Sequence, residues 1–193
     1  MHDITLEIIS DNNIEQCRQL CDELMAFQKA KAVMHPENFN EMNFDTRMKK
    51  SYEKALEKQV ILIKDRDTPV GYIFSTIEEF GPEVRTAFPP WAPIAENSQG
   101  FCPDWVELPQ KIGCISNLYL QEAYHGTGLG SKLVKLATAW LESFADINLT
   151  FVFVSNGNEA AMDFYTRNGF TFSHDVFGGF IKAAYKRKND TPQ

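Results

Sequence analysis

The chain of 193 residues has the length of one ordinary domain, and we expect residues 1–193 to fold as a single domain with one core. Hydrophobic residues make up 44% and charged residues 23%, which is typical of globular proteins and excludes disordered, collagen-like and low-complexity chains. With 26 acidic and 19 basic residues the net charge is −7, so we expect neither nucleic acid nor an anionic membrane as a partner.

The first residues and the cysteines predict a cytoplasmic protein. The N-terminal ten residues show neither the basic stretch nor the apolar stretch of a secretory signal, and no apolar run approaches the roughly 18 residues of a membrane span. The cysteines have no His or Cys partners at metal-ligand spacing, so we expect no metal site. We interpret all four as reduced core residues: Cys17, Cys21, Cys102 and Cys114.

The chain begins with a predicted strand and helix. Residues 4–9 contain the apolar alternation typical of a strand. Asn12, with Glu15 three residues later, fits a helix N-terminus. Helical spacing then predicts a core-facing helix from the following residues: Ile14, Cys17, Leu20, Cys21, Leu24 and Phe27.

A second helix and a hairpin come next. After a rather apolar loop over residues 37–44, Asp45 is a candidate helix cap. A short apolar run, 60–63, and a run rich in β-branched and aromatic residues, 70–77, enclose the turn residues 65–69. They predict an antiparallel pair of strands.

The segment Phe80–Lys111 differs in composition from the rest of the chain. It contains six of the nine prolines and, with Trp91 and Trp105, two of the three tryptophans. Proline excludes helix interiors and central strands, and so long a connection is usually functional. We interpret the segment as an insertion at about 80–111 that forms an ordered lid or wall; the alternative is an insertion that only covers a sheet edge.

The second half predicts alternating strands and helices. A strand over 112–120 leads into a glycine turn, and a helix follows from Gly128. The apolar run in 148–155 suits a strand that is buried on both faces. A short helix over 158–168 and a hairpin complete the order, with the hairpin strands at 170–176 and 180–186.

The glycine turn after residue 120 is the sharpest local signal. Glycines let the backbone approach a phosphate, and the N–H groups at a helix start then point at its oxygens. The spacing of Gly126, Gly128 and Gly130 fits neither a Walker A loop nor a dinucleotide-binding fingerprint. The turn therefore predicts a different phosphate-containing ligand.

Two motifs resemble those of the GNAT superfamily of acyl-CoA-dependent N-acetyltransferases. The signature of that family is (Gln/Arg)-x-x-Gly-x-(Gly/Ala), and residues 125–130 fit it except that His125 stands in place of Gln or Arg. The helix after the family's fifth strand often reads Asn-x-x-Ala-x-x-x-Tyr-x-x-x-Gly-Phe. All five spacings are matched by Asn158, Ala161, Tyr165, Gly169 and Phe170.

The resemblance implies an α/β fold, with a central mixed, mostly antiparallel twisted sheet of about seven strands flanked by about four helices. It implies that acetyl-CoA lies in a V-shaped gap between the fourth and fifth strands. The fourth strand would pair with the pantetheine arm, and the turn would hold the pyrophosphate. The implied cofactor-binding residues are Leu118, Tyr119, Leu120, His125, Gly126, Thr127, Gly128, Leu129, Gly130, Ser131 and Asn158.

The resemblance also assigns catalytic roles. Tyr165 occupies the family's general-acid position and would protonate the departing thiolate, and a backbone N–H near Leu120 would stabilise the oxyanion. Asn158 is either a cofactor contact or an N-cap. At the position where the family often has a basic Glu, this chain has Cys114. The general base therefore stays open between water and three carboxylates, Glu78, Glu79 and Glu107.

These implications favour an N-acetyltransferase that acts on a small-molecule primary amine by direct attack in a ternary complex. Acids in the insertion, Glu83, Glu96, Asp104 and Glu107, would hold the ammonium group beside Phe88, Trp91, Phe101 and Trp105. The alternative is that these rings pack inward and the acids are solvated. Two other hypotheses stay open: a protein or peptide N-acetyltransferase, and a non-catalytic acyl-CoA-binding regulatory module.

Two further expectations concern the C-terminal part and the assembly. The run Ser173-His174-Asp175 contains the residue types of a hydrolase triad, but neighbours on a strand point to opposite faces, so we interpret it as incidental. Homodimers are common in the family that the chain resembles. A homodimer is therefore one expectation for the oligomeric state.

Overall fold

One mixed sheet organises the part of the chain that the computed structural model describes, residues 3–92 and 98–188. Its strands are β1 (Ile4–Ile9), β2 (Glu57–Asp65), β3 (Thr68–Phe80), β4 (Gln110–Leu120), β5 (Leu149–Ser155), β6 (Thr171–Val176) and β7 (Ile181–Arg187). They lie in the order β1-β2-β3-β4-β5-β7-β6. β4 and β5 are parallel, and every other neighbouring pair is antiparallel. The predicted mixed, mostly antiparallel seven-stranded sheet is confirmed.

Four α-helices cover the two faces of this sheet: α1 (Arg18–Lys31), α2 (Lys50–Lys54), α3 (Leu129–Glu142) and α4 (Glu159–Arg167). Apolar side chains of α1 and of the turns around α2 pack on β2 and β3, on what we call the α1 face. Buried residues of α3 and α4 pack on the opposite side, the α3 face. Among the described residues, none of the helices combines the length and apolar character needed to cross a membrane.

Two predicted helix starts are wrong. A 3-10 turn, Asp11–Cys17, precedes α1, and its N-cap is Ser10 rather than Asn12. Asp45 is not a cap, because its carboxylate forms an ion pair with Arg18 at 2.6 Å. The capping residue there is Asn43, whose side chain accepts from the backbone N–H three residues on in a capping box. Helical periodicity located both helices but did not fix their first turns.

The connection between β3 and β4 packs on the α1 face of β5 and β7. Its aromatic rings pack edge-on against the β6–β7 connection: the ring centres of Trp91 and Phe180 are 4.5 Å apart, and those of Phe101 and Phe177 are 5.0 Å apart. Gln99 forms a parallel bridge to Val176 at the edge of β6, so this part of the segment does cover a sheet edge. Residues 93–97, with Glu96 among them, lie outside the described residues.

Of the four rings expected to receive an ammonium group, Phe88, Trp91 and Phe101 pack against the β6–β7 connection, whereas Trp105 is 43% exposed. Phe88 contacts the Phe177 ring edge-on at 5.6 Å. Trp105 lies 4.8 Å from Tyr185 and already has a cation over its face, since the Arg187 guanidinium is 5.0 Å from its ring centre. The expectation of an aromatic cage is therefore wrong for Phe88, Trp91 and Phe101, for which the alternative of inward packing holds. The exposed ring of Trp105 pairs with the Arg187 guanidinium instead.

Ser173 and His174 meet, although neighbours on a regular strand would not. The register of β6 against β7 shifts between Phe172 and His174, and this irregularity brings the Ser173 hydroxyl to 2.9 Å from His174 Nδ1. The expectation that these two side chains point apart is therefore wrong. His174 Nε2 donates to the Gly100 carbonyl at 2.9 Å, so a backbone group and not the carboxylate of Asp175 is its second partner. His174 thus ties the β3–β4 connection to β6.

Candidate active site

The parallel strands β4 and β5 separate after three residue pairs. They are in register from Gly113 with Thr150 to Ile115 with Val152. Beyond this point β5 stays paired with β7, while β4 follows β3. The register of β4 against β3 also shifts here, and Ser116 is the extra residue of this bulge. Because a bulge bends its strand, the two parallel strands diverge and leave an open gap.

Backbone groups of β4 line one wall of this gap. The Gln121 N–H donates to the Val70 carbonyl at 2.9 Å. In an antiparallel ladder, hydrogen bonding to one neighbour recurs at every second residue. Tyr119 therefore bonds to β3 through its backbone, whereas the N–H and C=O groups of Leu118 and Leu120 face the gap. The Leu118 N–H and C=O and the Leu120 N–H offer the hydrogen bonds of an unpaired strand to an extended ligand.

The glycine turn forms the mouth of the gap. Gly126 and Gly128 have φ values of +73° and +83°, and a Cβ built on either would meet no atom within 4 Å. Lys132 is the first residue of α3 whose N–H donates to a carbonyl, that of Gly128. Among the described residues, the N–H groups from 126 to 131 have no backbone acceptor, as expected at a helix start. The turn is thus an open cradle of N–H groups with the geometry that an anion requires.

His125 acts on the turn itself in this structure. Its Nε2 lies 2.7 Å from the Leu120 carbonyl oxygen, so it donates to that oxygen and occupies it. Thr127 makes a similar bond, since its hydroxyl donates to the Tyr124 carbonyl at 2.6 Å. Both side chains hold the loop between β4 and α3 in place. The other ring nitrogen of His125, Nδ1, is the one that can make a further contact.

A cleft of about 1010 Å³ contains most of the residues that the sequence indicated. The predicted residues in its wall are Leu118, Tyr119, Leu120, His125, Gly126, Gly128, Gly130, Ser131, Asn158 and Tyr165. Thr127 and Leu129 do not line it: Leu129 packs against the core of the α3 face, and Thr127 bonds to the loop. Their backbone N–H groups remain part of the turn.

The α1 side of the cleft was not indicated by any sequence motif. Leu24, Phe27 and Lys31 line it. α1 approaches because Gly157, at φ +77°, packs so closely that a Cβ there would overlap the Lys31 carbonyl oxygen. The neighbouring Asn156 is 3% exposed and accepts from the Val33 N–H at 2.7 Å. This junction is a long-range contact, which helical periodicity does not reveal.

Tyr165 lies in the cleft wall with little exposure to solvent. It is 6% exposed, and its ring packs edge-on against Phe164 and Phe170 at 5.3 and 5.6 Å. Burial raises the pKa of Tyr165 above its ordinary value. The phenol therefore stays protonated at neutral pH, as a proton donor must.

Asn158 precedes α4 at the N-cap position but does not cap it. Its side chain makes no capping hydrogen bond, although its backbone carbonyl accepts from Ala161 at 3.1 Å. The Asn158 amide is thus available to the cleft that it lines. Arg167, at the far end of α4, lines the same cleft and adds a cation that sequence inspection missed.

The candidate bases have different surroundings. Cys114 is buried, and its pKa is raised well above the ordinary value by burial and by the charge of Glu78. Such a thiol stays protonated and is no base. Glu79 and Glu107 are exposed, whereas Glu78 is half-buried and accepts a hydrogen bond from the Thr76 hydroxyl at 3.0 Å. Among the described residues, no three His, Cys, Asp or Glu side chains are grouped to hold a metal ion.

Comparisons with known proteins agree with this arrangement. A model of the "Acetyltransferase (GNAT) family" matches residues 25–170. The PaiA N-acetyltransferase of Thermoplasma acidophilum, solved in complex with coenzyme A, superposes with a TM-score of 0.59 at 14% identity, covering 96% of this chain and 99% of that one. An acetyltransferase of Thermus thermophilus gives a TM-score of 0.58 at 17% identity, with coverages of 97% and 99%.

A peptide-related structure shares the fold as well. Naa50 of Arabidopsis thaliana, in complex with the bisubstrate analogue CoA-Ac-MVNAL, superposes with a TM-score of 0.56 at 18% identity, covering 95% of this chain and 97% of that one. At these identities the structures show the fold alone. A comparison with curated protein sequences gives no match.

Proposed function

The chain belongs to the GNAT acetyltransferase family, and from this premise we propose that it transfers the acetyl group of acetyl-CoA to a primary amine of a small molecule. The observation that carries the proposal is the gap between β4 and β5, which opens onto a cradle of N–H groups at the start of α3. An extended thioester with a pyrophosphate matches both parts of this cleft. The relatives solved with coenzyme A or a coenzyme A analogue support the same co-substrate.

The residues of the cleft fit acetyl-CoA in three places. The N–H groups of residues 126–131 would bind the pyrophosphate, where the dipole of α3 adds positive potential. The strand-like backbone of Leu118 and the Leu120 N–H would bind the amides of the pantetheine arm. Lys31 and Arg167 line the cleft and would face the remaining phosphate charge.

The protein contributes three groups to the reaction: a backbone N–H, a proton donor and a side chain that orients the co-substrate. When bound, the co-substrate supplies a thioester carbonyl that a neutral amine attacks directly. A backbone N–H of the β4 wall stabilises the negative charge that develops on the carbonyl oxygen. Tyr165, buried and protonated, donates its proton to the sulfur that leaves. Asn158 orients the same end of the co-substrate from the start of α4.

A small acceptor is favoured by the packing on the α1 face. Rings of the β3–β4 connection pack against the β6–β7 connection on this face, as Trp91 does against Phe180. We infer that they occupy space that an open peptide groove would need. Because the Arabidopsis relative was solved with a bisubstrate analogue that contains a peptide, the test must include peptides as acceptors.

The experiment measures free thiol released from acetyl-CoA with a panel of alkylamines, amino acids, polyamines and short peptides. We expect one class of small amine to give a kcat/KM at least about tenfold above that of every peptide, since one well-placed contact is worth that much. Reactions without an amine give the background of thioester hydrolysis. A peptide as the best acceptor would overturn the small-molecule assignment, and no amine above background would overturn the transfer reaction.

A further inference from the structure

Three side chains form a continuous hydrogen-bonded row across β3 and β4. The Thr76 hydroxyl donates to Glu78 Oε1 at 3.0 Å. The same hydroxyl lies 3.0 Å from the Ser116 hydroxyl. The row therefore runs from Ser116 on β4 through Thr76 to Glu78 on β3.

The direction of the hydrogen bonds follows from the number of protons available. A threonine hydroxyl has one proton and two lone pairs. Thr76 gives its proton to the Glu78 carboxylate, so in its contact with Ser116 it accepts, and Ser116 is the donor. Every proton in the row thus points toward Glu78. The Ser116 oxygen keeps lone pairs that can accept a proton from another group.

The two ends of this row lie in different surroundings. Ser116 is the bulge residue of β4, directly after the last residue that pairs with β5, so it lies at the closed end of the gap. Thr76 is 0% exposed, which shields the middle of the row from water. Glu78 is half-buried near the end of β3 and is reached by solvent. The row thus connects the closed end of the gap with the surface.

We propose that Ser116, Thr76 and Glu78 form the proton relay that serves as general base for the acceptor amine. This inference rests on the proposed transfer reaction. As the amine nitrogen bonds to the carbonyl carbon and the carbon–sulfur bond breaks, the nitrogen gives its proton to Ser116. Ser116 passes its own proton to Thr76, Thr76 passes its proton to Glu78, and Tyr165 protonates the sulfur. Glu78 releases one proton to water and Tyr165 regains one, so the cycle balances.

The other groups around Glu78 do not compete for this role. Cys114 faces Glu78 from β4 and stays protonated. Arg47, beside α2, lowers the pKa of Cys114 and so places a positive charge near this end of β3. Glu79, the next residue, is exposed, and neighbours on a strand point to opposite faces. Glu78 is therefore the carboxylate that the buried hydroxyls reach.

The test compares Thr76→Val and Glu78→Gln with two matched controls, Thr138→Val and Glu79→Gln. Thr138 is also a buried threonine, but its hydroxyl has no partner and lies on α3. With acetyl-CoA and the best amine of the panel, we expect each relay variant to lower kcat about 100-fold, the usual contribution of a general base, while KM for acetyl-CoA stays within about twofold. The controls should retain wild-type kcat.

Two further variants separate the relay from a packing effect. Thr76→Ser restores a hydroxyl at the buried position, so we expect it to recover most of the kcat that Thr76→Val loses. The double variant Thr76→Val/Glu78→Gln should lose no more than either single variant, because the parts of one relay act as a unit. Thermal unfolding of each variant shows whether it is folded.

The outcomes separate the relay from the reaction. An active wild type whose kcat is unchanged in folded Thr76→Val or Glu78→Gln would overturn the relay alone. Losses in Thr76→Val that Thr76→Ser does not restore would also overturn it, since packing would then explain them. A wild type that acetylates no amine would overturn the transfer reaction and the relay with it.

Discussion

Tyr165 is the single side chain whose chemistry the proposed reaction uses most directly. Burial among apolar rings raises its pKa, so at neutral pH it holds a proton that it can give to a leaving thiolate. We expect Tyr165→Phe to lower kcat about 100-fold, because it removes only a proton donor, and to leave KM for acetyl-CoA within about twofold. Steady-state kinetics of thiol release measures both.

The matched control for this substitution is Tyr185→Phe. Tyr185 lies on β7 against Trp105, outside the cleft lining. We expect its loss of a hydroxyl to leave kcat unchanged. An unchanged kcat in Tyr165→Phe would remove Tyr165 as the acid.

Gly157 shows how one residue determines which elements surround the cleft. It combines a φ of +77° with contact against the Lys31 carbonyl oxygen, so Gly157→Ala introduces both backbone strain and overlap. Gly126→Ala, at φ +73° with open space around it, introduces the strain alone. We expect urea unfolding to show a loss of about 1–2 kcal/mol for Gly126→Ala and at least about 2 kcal/mol more for Gly157→Ala. Equal losses of unfolding free energy in the two variants would contradict the close contact between Gly157 and the Lys31 carbonyl oxygen.

The positions and contacts of single side chains were the hardest features to predict from the sequence. Tyr165 and Asn158 were indicated by a motif, but Lys31 in the cleft wall was not, because the contacts that bring α1 to β5 join distant parts of the chain. Arg167 lies on α4 but at no position of the motif. The bonding of Thr76 with Ser116 depends on a one-residue bulge. Periodicity of apolar residues does not encode such an irregularity.

The turn between β4 and α3 is the element in which sequence and structure agree best. The spacing of its glycines indicated an anion cradle. Gly126 and Gly128, which both have a positive φ, lie within this turn. Gly128→Asp and Gly128→Asn introduce side chains of one shape that both tolerate this backbone conformation. They differ by one negative charge, so we expect calorimetry to show that the Asp variant binds acetyl-CoA at least about tenfold more weakly than the Asn variant.

The salt dependence supplies the control for this pair. Raised ionic strength screens a repulsion between charges, so the difference between the two variants should shrink in high salt. Leu136→Asp places the same charge on an exposed position two turns further along α3 and should bind like the wild type. Equal affinities of Gly128→Asp and Gly128→Asn at low salt would contradict the cradle.

The β3–β4 connection is the element that sequence described least well. Phe88, Trp91 and Phe101 pack against Phe177 and Phe180, because apolar rings gain more from burial than from lining an open cage. His174 fastens this segment to β6 through the Gly100 carbonyl. Burial lowers the pKa of His174, against smaller opposing effects of Gly100, Asp175 and Asp104.

The sign of the pH effect follows from that shift. The unfolded chain binds the proton of His174 more tightly than the folded chain, so its contribution to stability is complete above pH ~6.5 and is lost as the pH falls below it. We expect urea midpoints of the wild type to fall between pH 7 and pH 5 more steeply than those of His174→Gln, which keeps a donor without titrating. His35→Gln, at an exposed histidine, is the control. Equal slopes for wild type and His174→Gln would contradict this role.

At the scale of the whole molecule, the sheet and its helices were largely predictable. Alternating and helical apolar patterns indicated all seven strands and the main helices, because each element buries one side. The strand order β1-β2-β3-β4-β5-β7-β6 was not predicted, since strand order depends on long-range pairing that apolar patterns do not encode. The family resemblance implied the gap between the fourth and fifth strands, and the cleft forms where β4 and β5 diverge.

The function proposed for this fold depends on acetyl-CoA binding where β4 and β5 diverge, and hydrogen–deuterium exchange with and without acetyl-CoA tests that binding. We expect exchange at least about tenfold slower over residues 117–131 and 157–168, the two walls of the cleft, with β1 and β2 unchanged. Coenzyme A should protect the same segments, whereas free adenine should not. Unchanged exchange in both walls at saturating acetyl-CoA, or protection confined to other segments, would contradict binding in this cleft.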